Sequence, residues 1–370
     1  MNRGFSCEKG RSRRVLLGTL AVGLLLLPVG EDSLEAIEPP LELEEVAPSV
    51  YAVRRKFAGS NAAVIVNDRD VVVVDSHASP AGARGTLAAI REITDKPVRY
   101  VVNTHWHTDH FVGNQAYLEA FPGQVEFISH ETVRQDIAEL APEQLPIAVR
   151  YVREDLEMAT RMLLMGKDEH NRPLSEEATV RLRRFVDDQS RTVNELESQP
   201  FILPDLTLKQ GLTLHRGQRR IHLLFLGRGH TRGDVVVYLP QEKILIAGDL
   251  LTYPTLHVGG TSRPVEWLES LRALADLEFD VVIPGHGEVF RNPEYLELVI
   301  ALLEEVVEHV RSGIDQGLKY AEIEPQVDLE DLYSQWVGDD GDRAAMFEEV
   351  REFVPDALGR AYLELTGRLD

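Results

Sequence analysis

The chain of 370 residues has a single cysteine, Cys7, close to its amino terminus. The remainder therefore has no disulfide bond, no thiolate metal ligand and no cysteine nucleophile. Basic residues are also scarce: 39 lysines and arginines stand against 61 aspartates and glutamates, for a net charge of −22. No local basic patch offsets this charge, and so acidic a surface repels phosphate backbones and anionic lipids. We therefore expect no nucleic-acid partner.

The longest hydrophobic run is shorter than a typical membrane-spanning helix. Residues 15–29 form an apolar run of 15 residues, whereas a transmembrane helix needs about 20. Arg13 and Arg14 precede this run, an arrangement that resembles a twin-arginine export signal. We expect residues 1–36 to be this signal, with cleavage near Ala36, and the mature protein to be periplasmic or extracellular, contacting the membrane only through the signal. A Sec-type signal with incidental arginines and an uncleaved membrane anchor stay open.

The rest of the chain has the composition of a protein with a sizeable core, since 44% of the residues are hydrophobic and 27% are charged. Short β-branched runs predict strands at residues 50–53, 62–66, 71–74, 99–102, 125–129, 212–215, 221–226, 235–239, 244–247 and 281–283. Apolar periodicity predicts helices at residues 80–94, 111–121, 151–165, 175–196, 267–277, 295–310 and 343–366. These patterns predict one α/β domain with a helical insertion at about residues 131–198 and a helical extension at residues 291–370.

The stretch Asn103-Thr104-His105-Trp106-His107-Thr108-Asp109-His110 carries most of the chemical information. It places three histidines and an aspartate within six positions, directly after a predicted strand. His105 and His107 can direct both imidazoles to one point, and Asp109 and His110 can address a neighbouring point. Imidazole nitrogen combined with carboxylate oxygen suits zinc and similar divalent ions. This loop therefore predicts a metal site.

Three further candidate ligands each follow a predicted strand in a turn marked by glycine. They are His230 after residues 221–226, Asp249 after residues 244–247, and His286 after residues 281–283. Any one of them alone is a weak signal, because a single histidine at a strand end more often makes structural hydrogen bonds. Together with the preceding histidine loop, they form a set.

With these motifs, residues 49–290 resemble the metallo-β-lactamase superfamily. The resemblance implies an αββα sandwich, in which two mixed sheets pack face to face between outer helices. It implies two metal ions, most commonly Zn²⁺. His105, His107 and His230 would bind the first ion, Asp109, His110 and His286 the second, and Asp249 would bridge the two. Asp75, at the end of the strand at residues 71–74, matches a family aspartate that orients the ligand loops.

The resemblance also implies a reaction. Two divalent ions about 3.5–4 Å apart activate a shared water for attack on a carbonyl or another electrophilic centre, and Asp109 is the candidate to hold this nucleophile or protonate the leaving group. We expect a zinc-dependent hydrolase acting on a small ester, thioester, lactone or lactam. Alternatives are a true β-lactamase, a mononuclear iron dioxygenase of a sulfur substrate, and a metal-binding module without catalysis. Asp249 is typical of members that act as thioesterases, lactonases, alkylsulfatases or phosphodiesterases.

The other histidines and two arginines have weaker claims. His77 and His257 are candidates for the mouth of the site, whereas structural or solvated roles are expected for His130, His170, His215, His222 and His309. Arg228 and Arg232 flank His230 and could hold a substrate carboxylate, although surface arginines are the more common case. The insertion is expected to be a lid over the site or a subunit contact, and a homo-oligomer stays open.

Overall fold

A computed structural model describes residues 41–55, 59–168, 171–198, 200–291, 294–327 and 341–369. The expected export signal, residues 1–36, lies outside these residues, as does His170. Within the described ranges, no helix combines the length and apolar character needed to cross a bilayer.

The first sheet has seven strands in sequence order. They are β1 (Leu41–Ala47), β2 (Val50–Arg55), β3 (Ala62–Val66), β4 (Val71–Val74), β5 (Val98–Val102), β6 (Glu126–His130) and β7 (Leu206–Leu208). Strands β1 to β4 pair antiparallel, and β4 to β7 pair parallel. The parallel half needs crossover connections, and helices supply them. This sheet is therefore mixed, as expected.

The second sheet has five strands in the order β12-β11-β10-β9-β8. They are β8 (Gly211–Arg216), β9 (Arg219–Phe225), β10 (Val235–Leu239), β11 (Ile244–Gly248) and β12 (Val281–Pro284). All neighbours pair antiparallel except β11 and β12, which are parallel. Both β11 and β12 consequently end at the same edge of the sheet.

The two sheets pack face to face. Their shared core contains buried aliphatic residues from both, such as Ile65 and Val72 from the first and Leu223, Val237 and Ile246 from the second. The outer face of the first sheet packs on α1 (Pro80–Ile93) and α3 (Asn114–Ala120). The outer face of the second sheet packs on α7 (Pro264–Ala275), α8 (Glu294–Asp315) and α10 (Gly341–Leu365). The αββα sandwich expected from the sequence is confirmed.

Three helices lie between β6 and β7 in the part of the chain that the structure describes. They are α4 (Glu131–Glu139), α5 (Ala141–Met165) and α6 (Glu176–Ser198), and α5 and α6 pack together through their apolar faces. Helix α4 lies inside the predicted helical insertion, but the sequence pattern gave it no bounds of its own, and the predicted start of α5 was ten residues late. The remaining short elements are α2 (Thr108–Phe111) and α9 (Tyr320–Ile323), which a 3₁₀ turn follows at Glu324–Gln326.

The helix expected at residues 111–121 is split into α2 and α3 at Gly113. A Cβ at this position would lie 1.8 Å from the carbonyl oxygen of Ser76, so only glycine allows this close approach. The Gly113 amide donates to the His77 carbonyl oxygen. This contact fixes the end of α2, which carries two of the candidate ligands.

Candidate metal centre

All seven candidate ligands lie on loops or a short helix at one edge of the sandwich, each following the carboxyl end of a strand. His105 and His107 follow β5 and lead into α2, which carries Asp109 and His110. His230, Asp249 and His286 follow β9, β11 and β12 in turn. Residues that are up to 181 positions apart in the chain therefore meet because the two sheets present these strand ends to the same place.

The side chains form two adjoining groups. His105, His107, His230 and Asp249 make up the first, and Asp109, His110 and His286 the second. Within each group the ligand atoms lie within 4.8 Å of one another. All of these residues are buried except His286, which is partly exposed.

Asp249 lies between the groups. Its Oδ2 atom is 3.4 Å from Nε2 of His230 and 3.5 Å from Nε2 of His286, and its Oδ1 atom is 3.3 Å from Nε2 of His110. A Cβ on Gly285 would lie 2.0 Å from Asp249 Oδ1. The glycine therefore provides the space that this carboxylate occupies.

The outward nitrogens of three histidines have hydrogen-bond acceptors. Nδ1 of His105 lies 3.0 Å from Oγ1 of Thr104, Nδ1 of His110 lies 2.7 Å from Oδ2 of Asp75, and Nδ1 of His230 lies 2.8 Å from the His257 carbonyl oxygen. When Nδ1 donates, Nε2 presents a lone pair to the centre of the site, which is the form that binds a metal.

Three buried atoms at the centre support a metal site. Nε2 of His105, Oδ1 of Asp109 and Oδ1 of Asp249 make no hydrogen bond, although buried polar atoms are nearly always paired. Converging imidazole nitrogens and carboxylate oxygens form a donor set that fits zinc or a related divalent ion.

Asp75 supports both groups. Its Oδ1 accepts from the Thr104 amide, and its Oδ2 accepts from the Thr104 hydroxyl, both at 2.8 Å, and from Nδ1 of His110. Since the Thr104 hydroxyl donates to Asp75, its oxygen is left to accept from Nδ1 of His105. One carboxylate thus sets the orientation of a histidine in each group, in agreement with the orienting role expected from the sequence.

The charges at the site favour a cation. Burial alone would lower the pKa of His110, but Asp109, Asp249 and Asp75 outweigh it and raise this pKa well above its usual value. Burial would raise the pKa values of Asp109 and Asp249, yet the neighbouring imidazoles hold both well below the usual range. In the first group, burial lowers the pKa of His107 to about 3, so this ring is neutral.

Of the two histidines predicted at the mouth of the site, His257 lies near the ligands and His77 does not. His77 is buried away from the ligand cluster, with Nδ1 3.0 Å from the Ser60 carbonyl oxygen and Nε2 2.9 Å from Oγ1 of Thr86. The exposed ring of His257 lies at the rim, with its centroid 4.9 Å from that of His286.

The remaining candidates have structural partners. His130 accepts from the Thr132 amide and stacks on Phe225. Arg228 pairs with Glu266 at 3.4 Å, and Arg232 pairs with the buried Asp136. These ion pairs agree with structural roles for the two arginines.

Two supporting residues had no sequence signal. Asn61 Nδ2 donates to the carbonyl oxygens of Pro284 and Gly287, which flank His286, at 2.8 and 2.9 Å. Thr261 Oγ1 lies 3.3 Å from Nε2 of His107. Both contacts join residues that are more than 150 positions apart, so no local pattern could have indicated them.

Comparison with known proteins gives three relevant relatives. A linear primary-alkylsulfatase from Pseudomonas sp. (strain ATCC 19151) is 24% identical over 275 residues, which cover 70% of this chain and 48% of the relative. The alpha subunit of a 2,4-dinitroanisole O-demethylase from Nocardioides sp. (strain JS1661) is 23% identical, covering 75% and 68%. A solved stereoselective inverting sec-alkylsulfatase from Pseudomonas sp. superposes with a TM-score of 0.60 at 17% identity, covering 88% and 50%. The chain thus spans about half the length of the alkylsulfatases that it matches.

The family comparison agrees with this geometry. Residues 55–286 match the model of the metallo-β-lactamase superfamily, and this range includes all seven candidate ligands. A metallo-β-lactamase from Pontibacter korlensis superposes with a TM-score of 0.50 at 20% identity over 71% of this chain and 99% of that protein. The strand order, the ligand loops and this match together show that the chain belongs to the metallo-β-lactamase superfamily.

Proposed function

We propose that the protein is a dinuclear zinc hydrolase that cleaves a small sulfate ester. The observation that carries the metal centre is the position of Asp249, whose carboxylate lies 3.4 Å from Nε2 of His230 in the first group and 3.3 Å from Nε2 of His110 in the second. His105, His107 and His230 would hold one ion, and Asp109, His110 and His286 the other. Bound zinc ions supply a water that is acidic at neutral pH and a Lewis acid for the charge that develops during the reaction.

The protein's own residues would orient the nucleophile and move the proton. The Oδ1 atom of Asp109 is buried without a hydrogen bond, so this oxygen can accept one from the attacking water. It can accept the proton of the attacking water and return it to the leaving oxygen. In the overall reaction, water and an alkyl sulfate give the alcohol and hydrogen sulfate.

The sulfate ester is supported by the extent of the comparisons. The curated alkylsulfatase aligns with 70% of this chain, whereas two Bacillus metallo-β-lactamases align with only 22% and 20%. The solved alkylsulfatase also covers more of the fold than the Pontibacter enzyme, 88% against 71%. Both observations support a substrate like that of the alkylsulfatases.

A carbonyl substrate is the second candidate, and the ligand set suits it equally well. A carboxylate at the position of Asp249 resembles the thioesterase and lactonase branches of the superfamily as well as the alkylsulfatases. The same activated water would then attack a carbonyl carbon, and the thiol, alcohol or ring oxygen would leave with the proton.

The decisive experiment uses zinc-loaded protein from Ile37 onward. Its substrates are an alkyl sulfate, an acyl-glutathione thioester, an acyl-homoserine lactone, an aryl phosphodiester and a chromogenic cephalosporin. We expect release of sulfate, reduced at least about 100-fold in Asp249→Asn, with two zinc ions per wild-type chain. Asp70→Asn is the matched control, because Asp70 pairs with Arg216 away from the ligand loops.

Each other result points elsewhere. Turnover of the thioester or lactone alone would support the carbonyl substrate. Iron content with oxygen consumption would support the dioxygenase, and zinc binding without turnover would overturn the proposed substrate class.

We also propose that residues 1–36 direct export by the twin-arginine route. The support is the Arg13-Arg14 pair before the apolar run. Cell fractionation should place the wild type in the periplasm or medium and Arg13→Lys/Arg14→Lys in the cytoplasm. Export of the double variant would indicate a Sec signal instead.

A further inference from the structure

Residues 257–263, here called the rim loop, connect the turn after β11 to helix α7 and lie beside the His230 turn. The Arg263 amide donates to the Gly229 carbonyl oxygen at 2.8 Å. The Ser262 hydroxyl lies 3.3 Å from the His230 carbonyl oxygen. The rim loop contributes none of the seven ligands, yet it contacts two of them through polar groups.

The contact with His230 fixes the ring of this ligand. The His257 carbonyl oxygen accepts the Nδ1 hydrogen of His230 at 2.8 Å. A carbonyl oxygen can only accept, so Nε2 of His230 has the lone pair. That Nε2 atom lies 2.8 Å from Nδ1 of His107, at the point where the first ion would bind.

The contact with His107 depends on one hydroxyl group. Thr261 Oγ1 donates to the His230 carbonyl oxygen at 3.1 Å, so its oxygen lone pair faces Nε2 of His107 at 3.3 Å. His107 then donates from Nε2 and presents its lone pair at Nδ1. Thr261 therefore selects the ring form of one ligand while it holds the backbone of another.

The last helix, α10, holds the rim loop in place. Arg360 Nε donates to the Ser262 carbonyl oxygen at 2.8 Å. The Glu364 carboxylate accepts from the amides of Val265 and Glu266 at 2.9 and 3.0 Å, at the start of α7, where amides lack helical partners. The C-terminal extension therefore fixes the rim loop from the side away from the ligands.

We propose that Thr261 is a positioning residue for the first metal site, which makes His107 an Nδ1 ligand and aligns it with His230, and that Arg360 keeps Thr261 in register from α10. This inference rests on the proposed metal centre. It adds that the C-terminal extension contributes to metal binding, although none of the seven candidate ligands lies in it.

The test measures zinc binding rather than turnover. Full-length Thr261→Val, which keeps the shape and loses the hydroxyl, is compared with Thr261→Ser, which retains it. Arg360→Met probes the support from α10. Thr213→Val is the matched control, because Thr213 Oγ1 lies 3.1 Å from Nδ1 of His222 in a threonine–histidine pair on the second sheet outside the metal centre. Zinc dissociation constants come from competition with a chromogenic chelator, and thermal unfolding of the zinc-free proteins checks the fold.

We expect Thr261→Val to raise the dissociation constant of one zinc ion by about 10- to 100-fold, as loss of a partner behind a ligand generally does. Thr261→Ser and Thr213→Val should bind zinc like the wild type, and Arg360→Met should show a smaller loss at the same ion. Equal affinity of Thr261→Val and wild type would overturn the inference, as would loss in Thr213→Val. A wild type that binds no zinc would instead overturn the proposed function. If Thr261→Val fails to fold, wild-type affinity in a folded Arg360→Met would overturn the role of α10.

Discussion

Replacement of Asp75 by asparagine tests a hydrogen-bond relay behind the metal centre. In this relay, Asp75 contacts His110 directly and His105 through Thr104. Asp75 is 2% exposed and has a φ of 59°, a region in which asparagine is among the best-tolerated residues. The two side chains have the same shape. We therefore expect Asp75→Asn to leave the backbone unchanged and to alter only the hydrogen-bond donors and acceptors around it.

The substitution shifts the imidazoles of His110 and His105 to the other tautomer. The asparagine Oδ1 still accepts from the Thr104 amide, but an NH₂ group replaces the oxygen that faces Nδ1 of His110 at 2.7 Å and Oγ1 of Thr104 at 2.8 Å. Nδ1 of His110 must then accept, which moves the proton to Nε2. The Thr104 hydroxyl, no longer a donor to residue 75, donates to Nδ1 of His105 and places the proton of that ring on Nε2 as well.

One ligand in each group thus loses the lone pair that faces the centre. Loss of such an outer partner costs about 10- to 100-fold in metal affinity, so the dissociation constants of both zinc ions should rise by this factor. A charge-assisted hydrogen bond exceeds a neutral one by about 1 kcal/mol. With three bonds weakened, the free energy of unfolding of the zinc-free protein should fall by at most about 3 kcal/mol. The substitution also removes a buried negative charge, which opposes that loss, since burial disfavours the charged form and raises the pKa of Asp75.

The assay is zinc competition with a chromogenic chelator at pH 7, together with chemical denaturation of the zinc-free protein. Asp70→Asn is the control, since Asp70 accepts from Nδ2 of Asn67 at 3.2 Å and has no contact with the ligand loops. Wild-type affinity for both ions in a folded Asp75→Asn would refute the relay. Weaker binding of only one ion would show that Asp75 orients only one of the two histidines, His105 or His110.

Four further predictions follow from the site and its supporting contacts. Because carboxylates raise the pKa of His110, zinc must displace a proton from this ring. The affinity for zinc should therefore rise between pH 6 and 8, by about tenfold per pH unit for each proton released. Competition titrations that show no pH dependence would contradict this. The raised pKa of His110 also adds to the free energy of unfolding of the zinc-free protein. This contribution is fully present below about pH 6.5 and is lost as the pH rises through the folded-state pKa. Chemical denaturation at pH 6 and pH 9 should detect the difference. Arg232→Met leaves Asp136, which is 1% exposed, unpaired and should cost about 2–3 kcal/mol, less than a fully buried pair because Arg232 is partly exposed; an unchanged denaturation midpoint would contradict it. Gly285→Ala should abolish binding of at least one zinc ion, because its Cβ would lie 2.0 Å from Asp249 Oδ1. Gly359→Ala is its control, since its nearest neighbour would be 3.5 Å away, and equal metal content in both variants would contradict the steric argument.

The sequence was sufficient for the regular parts of the fold because these follow local rules. The strands at residues 62–66, 71–74 and 235–239 begin and end where their β-branched runs do. Helix α1 begins after Ser79, whose side chain accepts from the Gly82 amide as an N-cap.

Other elements carried no local signal. Strand β1 at Leu41–Ala47 is a partly buried edge strand with three glutamates and one β-branched residue, so its β-propensity is low although leucine and glutamate alternate at its start. Helix α4 is short, and its apolar residues Val133 and Ile137 pack with Trp106 and Phe111 from the ligand loop. Its position depends on this contact rather than on its own periodicity. Likewise, no spacing could show that Thr104, Thr261 or Asn61 stands behind particular ligands.

The turn that carries His230 explains why segments outside the sandwich matter to the site. On one side, Arg232 pairs with Asp136 of α4, and a Cβ on Gly233 would lie 2.4 Å from Oγ1 of Thr132. On the other side, the rim loop binds His230 through His257 and Thr261. A metal ligand misplaced by about 1 Å loses much of its affinity. The helical insertion and the C-terminal extension therefore support the His230 turn from two sides, in addition to strands β9 and β10, which the turn joins.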